Sequence, residues 1–436
     1  MKSIQYTDVV IVGGGASGLA AAVELRMSSP EFSVTVIEKM SETGRKLRAT
    51  GSGRCNITNT SANGYIEIMK FFTRIGLVTR TYDNGLVYPY SESASDAADL
   101  LAARAGELGV RVITDAEVTA IRKSSAGNKP ANMRFEIDYT VKEKAETRSG
   151  KISAEKSLSS EYVILACGGK AGPMFGTTGD GYRIARELGH TVVTPVPVLT
   201  PIECSEWGPS HRPCAVNLAG TRTRCVVTLC KSDSDEPGSY TEIFTEAGEL
   251  QFTRFGISGI CVFNMTRHMR YDRSRGESLS DFIVKADLYP DGDVEDYLRD
   301  RRDNAFPGEL TADVLRTLLK ENIAAYVLDS VSAVNGPAPE KRVRDLTDGD
   351  IATIGDAVHG LTFHPERIRG WKDAQATSGG ISMEEIDPET CESLIVSGLY
   401  ITGELADRDF PCGGFNLSNA WLTGITAARA ITHKKG

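Results

Sequence analysis

The chain has 436 residues, which at about 150 residues per domain allows roughly three folding units. Hydrophobic residues make up 41% and charged residues 25%, the balance of a folded globular protein and not of a disordered one. With 49 Lys plus Arg against 58 Asp plus Glu the formal charge is −9, and so acidic a chain is expected to have a small-molecule organic substrate and no nucleic acid partner.

No apolar run reaches the roughly 18 residues of a membrane-spanning helix, so no integral membrane association is expected. The polar start runs straight into a strand without a signal peptide, and the cytoplasm is the expected compartment. The 9 cysteines are scattered and form no Cys-x-x-Cys pair. His190, His211, His268, His359 and His364 have no metal-ligand spacing, so no metal is expected.

In chain order, Asp8–Val12 is a β-branched run typical of a buried strand, Ala16–Arg26 a helix and Ser33–Glu38 a second strand. Strand, turn, helix and strand within about 30 residues make a βαβ unit, which opens a parallel sheet. Ala97, Leu100, Leu101, Ala105 and Leu108 mark a further helix. Residues 110–121, 133–141 and 161–166 read as strands, and 123–129 as a hairpin loop. Beyond Thr194-Pro-Val-Pro197 the text turns to short alternating strands, with Cys225, Val227 and Leu229 on one face. From 292 to 357 it is helical, with one stripe of Val314, Leu315, Leu318, Leu319, Ile323 and Val327. A strand at Leu399–Thr402 and a helix carrying Trp421, Leu422, Ile425 and Ala428 close the chain.

Gly13-Gly-Gly15-Ala16-Ser17-Gly18 satisfies G-x-G-x-x-G between that first strand and first helix. Gly13 allows the tight turn, Gly15 the approach of a pyrophosphate and Gly18 the packing of helix on strand. The helix N-terminus offers N–H groups to the phosphates. Glu38, followed by Lys39, ends the second strand where a carboxylate can accept from ribose hydroxyls. No second such turn follows a strand, so a two-dinucleotide enzyme is not expected.

Three more segments stand out: Gly44-Arg-Lys-Leu-Arg-Ala-Thr-Gly-Ser-Gly-Arg-Cys-Asn-Ile-Thr-Asn59, the glycine-rich stretch from Gly168 to Tyr182, and Gly403-Glu404 with Cys412-Gly-Gly-Phe-Asn-Leu417. Val87-Tyr-Pro-Tyr-Ser91 and Phe252-Thr-Arg-Phe-Gly-Ile-Ser-Gly259 accompany them. Together they resemble the bacterial flavoprotein family of BaiN/YhiN type, described as NAD(P)/FAD-dependent oxidoreductases, over nearly the whole chain.

The resemblance implies an α/β protein. A Rossmann-like FAD-binding domain of residues 1–195 and 372–436 is interrupted by a β-rich, barrel-like substrate domain (196–291 and 358–371). A helical subdomain (292–357) lies within that insertion, and the flavin faces the cleft between domains. It places non-covalent FAD against Gly13, Gly15, Ala16, Ser17, Gly18, Glu38 and Lys39, against Arg45, Lys46, Gly53, Arg54, Cys55 and Asn56, and against the backbone at Val118. Ala166, Gly168, Gly403, Glu404, Gly413, Gly414, Phe415, Asn416 and Leu417 complete the set. Arg45 and Lys46 supply charge opposite the pyrophosphate, and the glycines at 51 and 53 let backbone pass near the ring system.

The expected reaction is flavin N5 hydride transfer that reduces a conjugated carbon–carbon double bond, in an enone of bile-acid or steroid type. Oxidation of a small amine or amino ketone and a non-catalytic redox sensor are the alternatives. NAD(P)H, if it is the donor, is expected to bind transiently at the flavin cleft; another donor fits equally well. Arg254, Tyr90 and Tyr88 are the catalytic candidates. Structural readings compete: Arg45, Lys46 and Arg48 as a solvated turn, Gly176–Gly181 as the start of a helix reaching Leu188, Cys55 and Cys412 as packing residues, and Arg254 as a partner for Glu249.

Overall fold

The computed structural model describes residues 5–124, 133–143, 152–207, 218–233, 239–271, 277–332 and 336–435. Most of the expected loop at 123–129, together with His211 and Cys214, lies outside the described residues. The chain divides into two compact units, one of Met1–Pro197 with Gln375–Gly436 and one of Val198–Ala374.

In the first unit the strand Gln5–Val12 pairs in parallel with Val34–Ile37 on one side and Ile152–Leu165 on the other. Its alternate residues serve two cores. Val9 and Ile11 pack with Leu19 and Val23 of the opening helix (Ala16–Ser28) and with Trp421 and Ile425 of the closing helix (Phe415–Lys435). Val10 and Val12 pack with Val163, Leu165, Tyr182 and Ile184 on the opposite face. A strand covered on both faces has to be apolar at every position, which is why Asp8–Val12 reads as a continuous run. The sheet order is Arg111–Ile113, Val34–Ile37, Gln5–Val12, Ile152–Leu165, Phe135–Glu143, Ala116–Lys123. Leu399–Ile401 joins in parallel on the last three residues of Ile152–Leu165.

Two readings of this unit are corrected. The stretch 110–121 is two strands, because Asp115 turns the chain with φ 52°. Arg111–Ile113 then runs parallel to Val34–Ile37, while Ala116–Lys123 runs antiparallel to Phe135–Glu143. The strand expected from residue 161 begins at Ile152; its polar first half is held by antiparallel pairing with Phe135–Glu143.

In the second unit seven antiparallel strands follow the order Leu361–Phe363, Phe282–Asp287, Arg222–Ser232, Tyr240–Phe252, Gly256–Ser258, Ile202–Cys204, Pro365–Ile368. The two strands at the ends of this order are separated in sequence by His364 alone. A flat sheet would hold its edges roughly 29 Å apart at about 4.8 Å per strand, whereas one residue spans about 3.8 Å. The sheet therefore curls until its edges meet, which makes it barrel-like. Two of the strands, of 11 and 13 residues, are longer than the short strands expected. The interior takes Cys225, Val227 and Leu229, all buried.

Helices Val294–Asp303, Glu321–Ser332 and Asp348–His359 pack on the same core. The apolar stripe at 314–327 is carried by two helices. After Thr311–Leu315 the chain tightens, Thr317 N bonding Val314 O and Leu318 N bonding Leu315 O, before Glu321–Ser332 resumes. No helix among the described residues is long and apolar enough to cross a membrane.

Candidate functional site

The fingerprint glycines have different reasons for being glycine. Gly13 has φ +105°, and a Cβ there would lie 2.5 Å from Ala166 O. A Cβ on Gly18 would lie 2.0 Å from Gly13 O. Both are dictated by the fold. Gly15, by contrast, is extended backbone with φ −81° and ψ −165°, and a Cβ there meets nothing within 4 Å. Neither conformation nor protein packing requires a glycine at 15; the open space lies at the N-terminus of the opening helix, whose first N–H groups, at Ala16, Ser17 and Gly18, have no partner inside the helix.

Glu38 closes one side of this turn. Its Oε2 accepts from Gly14 N at 2.7 Å and its Oε1 from Met40 N at 2.8 Å. Burial pushes its carboxyl above the ordinary value, opposed by those backbone donors. Ala116 N donates to Glu38 O at 2.9 Å, so the strand bearing Val118 runs against the acid. The Val118 side chain is buried, and a β-bulge follows it, which leaves backbone as what this position can offer. Lys39 is held away, pairing with Asp180 and Thr178 of the 168–182 segment. Gly176 and Gly179 precede the helix Asp180–Glu187, so that helix begins later than the competing reading of Gly176–Gly181 had it.

Gly44 N donates to Gly14 O at 2.8 Å, which brings the basic turn to the fingerprint. Arg45 is half-buried and makes no ion pair among the described residues. Lys46 pairs with Glu404 (Nζ to Oε2, 2.8 Å) and is not a bare charge. Glu404 Oε1 also accepts from Thr377 N at 3.0 Å, and Thr377 Oγ1 accepts from Lys170 N and Ala171 N. Thr377 thus ties the loop after Ala166 and Gly168 to Glu404. Sequence reading missed it; the Thr-Ser-Gly-Gly run at 377–380 was the available signal.

The loop after this turn is conformationally unusual. Gly51, Ser52, Gly53 and Cys55 all have φ between 57° and 85°. Non-glycine residues held this way store strain that surrounding contacts must sustain. The segment that follows is tied to the closing helix and the turn before it: Trp421 Nε1 donates to Ile57 O at 2.9 Å, Thr58 and Ser418 hydroxyls meet at 2.7 Å, and Asn59 Nδ2 donates to Gly413 O at 3.3 Å. Cys55 is buried, and burial pushes its thiol up to about 12. Asn56 is buried too, and its Oδ1 has no hydrogen-bond partner among the described residues. Arg54 lies 5.2 Å over the ring of Tyr88, which is buried on this loop's flank with its phenol pushed up by burial.

At the closing helix, Gly413 and Gly414 have φ 119° and 94°. Asn416 commits its amide to the chain, accepting from Phe410 N at 3.1 Å and donating to Phe410 O at 2.8 Å. Phe415 and Leu417 flank it, and the first-turn N–H groups are what this end can present. Gly403 N is bonded to Thr423 Oγ1 at 2.9 Å.

The candidate Tyr90 lies in the first unit and the candidate Arg254 in the second. Tyr90 is 58% exposed with Arg80 4.3 Å over its ring. Arg254 is exposed on the turn after Tyr240–Phe252 in the second unit. It does not pair with Glu249, whose partner is Arg222 at 3.2 Å. Among the described residues no group of three or more His, Cys, Asp or Glu is placed to hold a metal.

The residues present fit FAD. The open cradle at Gly15, the acid beside it, the partnerless Asn56 Oδ1 and a second helix N-terminus form one constellation in the first unit.

Residues 7–67 and 62–430 match the family model described as HI0933-like protein Rossmann domain. A 3-dehydro-bile acid delta(4,6)-reductase of Clostridium scindens is 29% identical, over 97% of this chain and 98% of its own. Ribosomal RNA dihydrouridine synthases of Haemophilus influenzae and Escherichia coli are 24% and 25% identical, over 99% and 98% of this chain and 100% and 98% of theirs. Full-length relatives with an RNA-directed name undo the exclusion of nucleic acid drawn from net charge. A sum over the whole chain does not report the sign of a local surface.

Proposed function

The chain belongs to the HI0933-like family of FAD-dependent oxidoreductases, and from that premise we propose that it reduces a carbon–carbon double bond conjugated to a carbonyl. The observation that carries this reading is the cradle at Gly15, built for a dinucleotide in a chain whose full-length relatives are named for such reductions. The Δ4 bond of a 3-oxo steroid and the C5=C6 bond of uracil are both conjugated to a carbonyl, so one chemistry covers both names. Bound FAD, held non-covalently, supplies the hydride, with NAD(P)H as the proposed donor.

The chain's own share is to hold the cofactor, shield it from water and keep a proton ready for the carbon next to the carbonyl. Tyr88 suits that last role best. It flanks the 51–56 loop, and its phenol, protonated at neutral pH like any tyrosine, is pushed further up by burial.

The test is anaerobic reduction of the FAD-loaded protein by NADH, NADPH or dithionite, followed by mixing with a 3-oxo-Δ4 steroid or uridine, and in a separate arm mixing of the oxidised protein with an amine. Re-oxidation of the flavin with formation of the saturated product supports the proposal. Flavin reduced by an amine and re-oxidised by oxygen, with every conjugated compound inert, would replace it with the oxidase reading. Inertness towards all of them would leave the sensor.

A further inference from the structure

We propose that one face of the hairpin at 79–90 is a stacking platform for unpaired bases of an RNA strand. The inference rests on the reading above, in which uracil is one bearer of the reducible bond. The hairpin pairs Thr79 with Pro89, Arg80 with Tyr88 and Thr81 with Val87. Side chains alternate along a strand, so Arg80, Tyr82, Tyr88 and Tyr90 share one face. Arg80 lies 4.3 Å over the Tyr90 ring, Tyr82 stands edge-on to Tyr88 at 5.6 Å, and Arg54 covers Tyr88 at 5.2 Å.

Tyr88 is buried, while the two outer rings are not core. Tyr90 is 58% and Tyr82 37% exposed, with Val78 beside them at 68%. Glu92 holds the outer pair in place: Tyr82 Oη donates to its carboxylate, and Arg80 Nη1 lies 3.9 Å away. Arg54 makes no ion pair among the described residues. Exposed tyrosines interleaved with guanidinium groups on a sheet face suit bases and phosphates, since every base has a face to stack and its backbone carries charge. An apolar polycyclic ligand calls for a concave apolar pocket instead. The inner end of the platform adjoins the cofactor loop: the Tyr88 ring is 3.6 Å from where a Cβ on Gly51 would sit. A strand stacked here passes beside the residues assigned to FAD.

The experiment measures binding of a fluorescein-labelled, uridine-rich single-stranded RNA to the FAD-loaded protein by anisotropy. It uses wild type, Arg80→Ala/Tyr82→Ala/Tyr90→Ala and Tyr82→Phe/Tyr90→Phe. The triple Ala variant is expected to bind roughly tenfold or more weakly, the Phe variant close to wild type. A fourth protein, Arg80→Ala alone, should lower the salt slope of log K by about 0.7. Unchanged RNA affinity in the triple variant overturns the platform, as does no binding by wild type. So does loss of affinity for a 3-oxo-Δ4 steroid with no effect on RNA. Re-oxidation of the reduced flavin by a small conjugated ene-carbonyl, followed in Arg80→Ala/Tyr82→Ala, keeps the two readings apart. If it proceeds while RNA binding is indifferent to the platform, only this inference falls; if it fails in wild type, the reading of the reaction falls.

Discussion

Lys46 Nζ lies 2.8 Å from Glu404 Oε2, joining a turn near the start of the chain to one near its end. Both side chains are about a quarter exposed or less, so the pair is partly shielded from solvent. A double-mutant cycle of Lys46→Met and Glu404→Gln, read by urea unfolding, should return a coupling of about 1 kcal/mol. Each single variant should also weaken FAD binding. A coupling near zero would mean that the fold holds the pair and gains nothing from it.

Gly15→Val separates cofactor binding from folding. Its backbone conformation is open to any residue, and the added Cβ meets open space. The variant should unfold with a free energy within about 0.5 kcal/mol of wild-type apoprotein, yet purify without the visible absorbance of oxidised flavin. Full flavin occupancy would place the phosphates elsewhere.

Tyr88→Phe keeps the ring against the 51–56 loop and removes the hydroxyl. FAD content should be unchanged, while the rate of flavin re-oxidation by a conjugated substrate falls about 10²-fold. An unaltered rate would remove Tyr88 as the proton donor.

Burial pushes the thiols of Cys55 and Cys391 from 9.0 up to about 12. Folding favours the protonated form, so this stabilisation is whole below about pH 9 and is lost as pH rises toward 12. The unfolding free energy should decline across that window, less steeply in Cys55→Ala. Iodoacetamide at about pH 8 should label neither thiol in the native protein and both in urea. Rapid native labelling of Cys55 would point to thiolate chemistry.

Arg254→Ala tests the exposed turn of the second unit. Glu249 already has Arg222, so no ion pair is lost and the melting temperature should hold, within about 0.5 kcal/mol. A change in KM or turnover at constant stability would assign Arg254 to substrate; a drop in stability alone would assign it to the turn.

The fingerprint was legible because its demands are local: a buried strand, a tight turn and a helix start each leave their own residue types. Asp115 shows why the next strand was misread. The residues on both sides of it are equally strand-like, and only a positive φ and two different sheet partners divide them. The polar half of Ile152–Leu165 was invisible for a related reason: its place comes from a neighbouring strand, not from its own hydrophobicity. At the site, Glu38 and the glycines could be assigned from spacing. The pairing of Lys46 with Glu404 could not, nor the two amides gathered by Thr377, because each depends on segments hundreds of residues apart.

The contact from Trp421 to Ile57 spans 364 residues, and Gly424 lets the closing helix press against Ser17, where a Cβ would come 2.3 Å from its carbonyl oxygen. During synthesis the strained loop and the opening helix therefore leave the ribosome long before the helix that braces them. At roughly 5–20 residues per second that interval is some tens of seconds. A nascent chain thus carries an unfinished cradle through most of its translation. Flavin capture should wait for the closing helix, and chains stalled before residue 415 should emerge colourless however much FAD the cell contains.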